Sequence, residues 1–467
     1  MRLYRLLFSF FIPFLLNNAS YGETRSYSDS WQNSGNYDIS WFNNNSSQYT
    51  IRTNKELAGF AYLVNNGYST FSGKTVKLGN NINLSGKAWI TIGTAGANYF
   101  RGVFDGQGYT ISGISVEMQK DGQNQYGFWG YLQYSTIKDL TLRGVVNVRD
   151  PNKENSPYHF YVGGLAGSCT NTTIERCKVE MDVKCEKSIE RQSTAYTSRV
   201  RLGGIVGAMS NSVLKYSSHI GDISVSEWQG VASNTPIFGG LVGSGGTIEY
   251  CENISSNIYC HLPKGNHSSS EMYVGGIAGS ASEIRYCRSV VNNLEIVQQS
   301  TASIWLYIGG ICGDKNSVIN CYSQLTELNV NSVSIYTGCA TFGGVCGGGE
   351  YYSAKSNFSN SDVRKTCSIT LKNGYDGAIS YSTSMMKTGS FLSELNLYSQ
   401  IQLGKGVWTS DENGYPCISL AHYGPTTGIK EIHQDEIPLG IYNLSGQKLS
   451  SPQKGINIID GKKVYIK

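Results

Sequence analysis

The sequence predicts an all-β chain wound as a right-handed parallel β-helix, and three observations carry that prediction. A glycine pentad recurs six times, its successive starts 40, 36, 36, 34 and 34 residues apart. A pair of mostly apolar landmarks follows the pentads at a nearly constant distance. Only 15% of the 467 residues are charged, against about 25% in an ordinary domain, and 55 Gly and 32 Tyr take much of the vacated composition. This length allows an ample core. The formal charge of +4 does not describe the basic face of a nucleic-acid or anionic-membrane binder, so no nucleic-acid partner is expected. With 9 Pro and abundant aromatics, the chain does not read as disordered.

Residues 1–22 read as a secretory signal peptide. Arg2 and Arg5 open it, residues 6–16 are largely apolar, and the small residues Ser20 and Gly22 precede a cut between Gly22 and Glu23. The apolar run is shorter than the roughly 20 residues of a spanning helix. No later segment is apolar enough to span, and no Cys follows the run for lipid attachment. The mature protein is expected to be exported, extracellular or on the outer cell surface, without a lipid anchor or membrane span. An Asn- and Ser-rich segment occupies 23–50.

Residues 51–118 are expected to form an N-terminal cap and the first coils. Thr53-Asn54-Lys55-Glu56 is a capping box. Leu57, Phe60, Ala61 and Val64 follow at helical spacing and Gly67 supplies a stop, so a helix over 54–66 should close the first coil. Short strands are expected at 75–78 and 89–92. Asp105, in Phe104-Asp105-Gly106, reads as a turn residue between strands rather than a catalytic acid.

Residues 119–363 hold the repeats. The pentads begin at Gly163, Gly203, Gly239, Gly275, Gly309 and Gly343, and a degenerate copy, Gly127-Phe128-Trp129-Gly130, precedes them. Gly164, Gly204, Gly240, Gly276, Gly310 and Gly344 occupy the second slot. Ile174 is followed three positions on by Cys177, Ile248 by Cys251, Ile284 by Cys287 and Val318 by Cys321; Leu214 with Ser217 and Ile137 with Leu140 fill the same slots. A strand alternates its faces, so two inward residues three apart demand a corner between them. A third β-rich stretch and a polar loop of variable length complete each unit. No unit carries a helical stripe, and glycine costs about 1 kcal/mol per residue in a helix. Coils stacked about 4.8 Å apart would align equivalent residues in columns, with glycine where backbones approach closely.

These pentads resemble the GLUG-motif family of exported and surface proteins, commonly described as adhesin-like, over roughly residues 126–363. The stretch at 100–113 resembles the segment preceding such repeats in anaerobe surface proteins. Residues 364–424 resemble the closing segment of the same proteins: a short helix around Phe391, Leu392 and Leu395, then a hairpin from Trp408 through a turn at 411–414 to Tyr415-Pro416. Residues 425–467 read as a small separate β module with a strand at 440–444 and a hairpin at Asp460-Gly461. That module resembles the C-terminal sorting or anchoring tails of Gram-negative anaerobes, including type IX secretion signals.

Twelve Cys in an exported chain invite disulfides, yet Cys177, Cys251, Cys287 and Cys321 share one column, and Cys312 and Cys346 share another with Ala and Val. They are expected to be buried thiols in small, mostly apolar slots; pairing is open for Cys169, Cys185, Cys260, Cys339, Cys367 and Cys417. No zinc spacing, nucleophile elbow or phosphate loop occurs, and His261 with His267 makes no metal site. Glu175, Glu249, Glu283 and Asp314 are scattered rather than paired. No catalytic, cofactor-binding or metal residue is assigned. Tyr126, Trp129, Tyr131, Tyr134, Trp305 and Tyr307 are candidate sugar-stacking residues, although aromatic packing in a sheet is the favoured reading of them. The loops at 186–198 and 226–236, unequal in length on a rigid scaffold, are the natural recognition elements. The expected function is adhesin-like binding of a host glycan or extracellular protein; the alternatives are a polysaccharide lyase or glycosidase and a structural surface-layer component.

Overall fold

The computed structural model describes residues 29–93, 98–117, 123–150, 159–187, 199–226, 236–262, 270–298, 304–314, 317–332, 340–348, 354–374, 377–418, 441–443, 448–449, 455–459 and 462–466. The signal segment with Gly22 and Glu23, most of the two recognition loops, His267 and Cys339 lie outside these residues. The chain is 55% strand and 9% helix, an all-β parallel solenoid of about six turns.

Three parallel sheets wall the solenoid. One coil shows the plan. Strand Arg199–Gly203 lies on the first wall and Val206–Ser210, after the pentad corner, on the second. Val213–Lys215, Ser218–Ile220 and Ile223–Ser226 follow on the third wall. The next coil pairs in register, Val206 with Val242, Leu214 with Ile248 and Val225 with Cys260. No coil buries its inner face alone, so each neighbour supplies both the ladder hydrogen bonds and the apolar partner.

The second-slot glycines form one column. A Cβ on Gly164 would stand 2.6 Å from the Gly204 carbonyl oxygen, and a Cβ on Gly204, Gly240, Gly276 or Gly310 would overlap the carbonyl of the following glycine, ending at Gly344. None of these glycines has left-handed φ; the requirement is space between stacked backbones, where Gly204 N donates to Gly240 O at 3.2 Å.

The expected corner between the landmarks is built from left-handed residues. Asp139, Arg176, Tyr216, Tyr250, Tyr286, Asn320 and Ser356 have φ between 50° and 54°, a strain on the order of 1 kcal/mol or more each. The reversal returns both flanking side chains to the core, so Ile174 and Cys177 are both buried.

The cysteine slots are thiols, but the Cys177 column is not simply apolar. Cys251 Sγ donates to Glu249 O at 3.1 Å and Cys287 Sγ to Arg285 O at 3.1 Å, as Ser217 Oγ donates to Lys215 O at 2.9 Å. The carbonyl before the corner also accepts from the corner residue of the preceding coil, Tyr216 N to Glu249 O at 3.1 Å and Tyr250 N to Arg285 O at 3.0 Å, so the thiol is a second donor to it. The slot therefore also admits a donor such as Ser217, while Asn357 at the same position donates to Val318 O at 2.7 Å and its Oδ1 accepts from Cys321 N at 2.9 Å. Cys185 and Cys260, by contrast, replace aliphatic residues in the column Val148, Cys185, Val225, Cys260, Ile296, Val330.

Helix α1, Asn54–Asn65, carries the full capping box, with Glu56 N donating to Thr53 Oγ1 at 3.1 Å and Thr53 N to Glu56 Oε2 at 3.1 Å. Its Phe60 packs edge-on to Phe71 and Phe100, at centroid distances of 5.0 and 5.4 Å. The expected strand at 89–92 is irregular backbone. Trp89 instead lays its ring on Phe128 at 4.7 Å, and Ile92 makes a single bridge to Trp129. Tertiary packing of two large rings overrides the local β propensity there.

Helix α2, Gly389–Leu403, and the hairpin Trp408–Ser410 with Pro416–Ile418 seat on the outer flank of the third wall. Phe391, Leu395 and Trp408 form a second core there with Tyr286, Tyr322 and Phe358. Ile441–Asn443, Lys448–Leu449, Gly455–Ile459 and Lys462–Ile466 form a separate antiparallel sheet.

Candidate functional site

Alternation on the first wall sends Val162, Leu202, Phe238, Val274 and Ile308 inward. The residue before each points outward. These residues form the column Gln125, Tyr161, Arg201, Ile237, Tyr273, Tyr307, Thr341, in unbroken register. Tyr273 and Tyr307 stack at 5.1 Å with ring planes 11° apart, and the Arg201 guanidinium lies 5.7 Å from the centre of Tyr161. Two residues earlier, Glu271 pairs with Trp305. Trp305 is 45% exposed. Tyr273 donates its hydroxyl to Glu271 Oε2 at 2.6 Å; burial and this carboxylate push the phenol well above its ordinary pKa.

The second wall faces this column with small residues. Ser168, Ala208, Ser244 and Ser280 share its outward column with Tyr131. The walls approach so closely that a Cβ on Gly167 would stand 2.9 Å from Tyr161 O and one on Gly207 2.8 Å from Arg201 O. Gln125 reaches across, Nε2 to Ser168 Oγ, at 2.9 Å. First-wall side chains therefore overhang a floor of small groups. Residues 188–198, 227–235, 263–269 and 299–303, which lie between third-wall and first-wall strands in the chain, are outside the described residues; Glu271 and Trp305 stand on the first-wall strands that follow the last two.

The other aromatic candidates divide. Tyr126 and Trp129 are wholly buried and so follow the packing reading rather than the stacking one: Trp129 takes the inward slot of Ala166 and packs against Phe104 at 5.2 Å. Tyr131 and Tyr134 stay at the surface, Tyr134 being 57% exposed. Beside them Tyr99 lies edge-on to Tyr131 at 5.6 Å, and Arg101 lies 6.0 Å from Tyr99 and 5.1 Å from Tyr134. Sequence reasoning passed over Tyr161, Arg201 and Tyr273, although each stands two residues before a Gly-Gly; aligning that slot across the units finds the column.

The carboxylates form a lattice with cations on the corner column. Glu175 meets Arg176 at 2.7 Å and Lys215 at 3.1 Å, and Arg285 meets Glu283 at 2.5 Å and Glu249 at 4.0 Å. Burial raises the Glu175 carboxyl, and the two cations more than offset this, holding it below its ordinary value. Asp314 accepts from Ser280 Oγ at 3.2 Å. Asp105 is buried, pairs with Lys138 at 2.9 Å and accepts from Gln107 N at 3.0 Å, as a turn residue does. Burial raises its pKa, but Lys138 and Gln107 hold it below the ordinary value. His261 lies edge-on to Tyr259 at 6.2 Å. Among the described residues, no group of three or more His, Cys, Asp or Glu is placed to hold a metal ion. No helix of the described residues is long and apolar enough to cross a membrane.

No protein-family model and no curated protein matches the chain. A solved structure from Bacteroides ovatus, described as a "putative immunoglobulin A1 protease", aligns over 80% of this chain and 92% of its own, with 15% identity and a TM-score of 0.38.

Proposed function

We propose that the chain is an exported, GLUG-type surface protein that binds carbohydrate on the aromatic face of its solenoid, as an adhesin-like protein does. The observation that carries this reading is the stacked pair Tyr273 and Tyr307 beside the exposed Trp305. Flat aromatic faces next to hydrogen-bonding groups suit the alternating apolar faces and hydroxyls of sugars. Selectivity would come from residues 186–198 and 226–236, unequal in length from unit to unit. Residues 1–22 direct export, and residues 425–467 serve as a sorting or anchoring tail.

Mature protein on a glycan and host-matrix array tests the reading. Wild type is expected to bind a defined set of glycans. The double variant Trp305→Ala/Tyr307→Ala is expected to lose at least tenfold in affinity, since each stacking ring contributes roughly 0.5–1.5 kcal/mol beyond its area. Retention of wild-type binding by that variant, with its far-ultraviolet spectrum unchanged, overturns the assignment.

A further inference from the structure

We infer that Arg101, set between Tyr99 and Tyr134, is a subsite for an anionic sugar, one bearing a carboxylate or sulfate; the inference deepens the carbohydrate reading. Arg143, Arg149, Arg176, Arg285, Arg288 and Arg364 each have a carboxylate within 4.0 Å. Among the described residues Arg101 has none, and its buried Nε has no hydrogen-bond partner there. Its guanidinium is held instead on two ring faces, at 6.0 and 5.1 Å. A partly desolvated cation without a counter-charge costs free energy unless something outside the chain pairs with it.

The setting is built to hold its shape. Arg101 N donates to Thr70 O at 2.8 Å and Tyr134 N to Thr170 O at 3.0 Å. Tyr131 donates its hydroxyl to Thr170 Oγ1 at 3.1 Å. Tyr134, 57% exposed, offers a ring for the sugar while the guanidinium forks onto its anionic group, the geometry arginine favours over lysine.

The test uses mature full-length protein and three immobilised polymers: polygalacturonate (carboxylate), chondroitin sulfate (carboxylate and sulfate) and dextran (neutral). Wild type is expected to prefer one or both acidic polymers, with affinity falling as salt rises. Arg101→Met is expected to lose at least tenfold for the acidic polymers and to leave Trp305-dependent binding of neutral glycans unchanged. Tyr134→Ala, an exposed change that spares folding, is expected to weaken the same binding. Comparing the two acidic polymers identifies which anion is taken. Unchanged acidic binding in Arg101→Met overturns the inference alone. Wild type indifferent to polymer charge also overturns it. If Trp305→Ala/Tyr307→Ala keeps all neutral binding while Arg101→Met loses the acidic polymers, the platform reading fails and this subsite stands. If wild type binds no glycan of any charge, both fall.

Discussion

A methyl group added to Gly240 would overlap the carbonyl oxygen of Gly276 and the amide of Asn253. Relief requires two stacked coils to part, so Gly240→Ala is expected to destabilise by about 3 kcal/mol or more, read as a shifted midpoint in chemical denaturation. Gly73→Ala controls for backbone strain alone, because at φ +71 its Cβ would meet nothing. His219 is a second point of constraint. It is wholly buried beneath Gly204, its Nε2 2.9 Å from Met181 O and its Nδ1 3.1 Å from Asn253 Oδ1. Burial lowers its pKa below the ordinary 6.5, although both hydrogen bonds act in the other direction. The folded state therefore binds its proton less readily than the unfolded chain. The stability this residue contributes is complete above pH 6.5 and is lost as pH falls from there through the depressed folded value. Denaturation midpoints between pH 7.5 and 5 are expected to fall more steeply for wild type than for His219→Gln; equal slopes would show that this imidazole does not titrate in folding.

At the scale of the coil, the landmark column couples a backbone reversal to a side-chain donor. Beside each left-handed corner, Cys177, Ser217, Cys251, Cys287 or Cys321 donates to the carbonyl two residues before it. Cys287→Ser is therefore expected to change stability by less than about 0.5 kcal/mol, while Cys287→Val removes one of the two donors to the Arg285 carbonyl, which keeps the Tyr250 amide, at a cost of roughly 0.5–1.5 kcal/mol. Thermal melts of the two variants decide it: an equal loss in both would mean that packing, not the donor, fixes the residue. The repeat made this column, the pentads and helix α1 legible, because each is periodic or carries a local signature such as Thr53 with Glu56. Three features were hidden. The donor role of the column was masked by cysteine, which reads as apolar. The irregular backbone at Trp89 was hidden because its packing on Phe128 belongs to one coil rather than to a repeating slot. The outward Tyr161, Arg201, Ile237, Tyr273 and Tyr307 vary in chemistry from coil to coil, so only their constant offset from Gly-Gly marks them as one surface.

Over the whole molecule, two cores divide the work. One runs from Trp31 to Cys346 inside the solenoid; the other joins helix α2 and the hairpin to the outside of the third wall. Charges pin that second contact. Arg288, 5% exposed, meets Asp411 at 2.9 Å and Glu252 at 4.0 Å, and Glu252 Oε1 accepts from Ile418 N at 2.9 Å. The Tyr322 hydroxyl donates to Pro416 O. Burial raises the Glu252 carboxyl above its ordinary value even with Arg288 beside it, so this carboxylate depends on its partner to stay charged. Arg288→Met leaves Glu252 and Asp411 facing each other without a cation, a loss of roughly 3–5 kcal/mol when a buried pair is broken one-sidedly. The solenoid has its own continuous core and does not need the hairpin to keep its ladder. The hairpin is therefore expected to release while the β spectrum stays unchanged. Cys417 reports the event: on the hairpin's second strand and half-buried where the hairpin docks, its thiol is pushed up to about 11 by burial, and release returns it toward the ordinary range, where far more thiolate is present at pH 8. Mass-resolved thiol labelling should show Cys417 reacting many-fold faster in Arg288→Met than in wild type, with the Cys177 column still protected. An unchanged rate at Cys417 would mean that the aromatic contacts of Phe391 and Trp408 alone hold the flank in place.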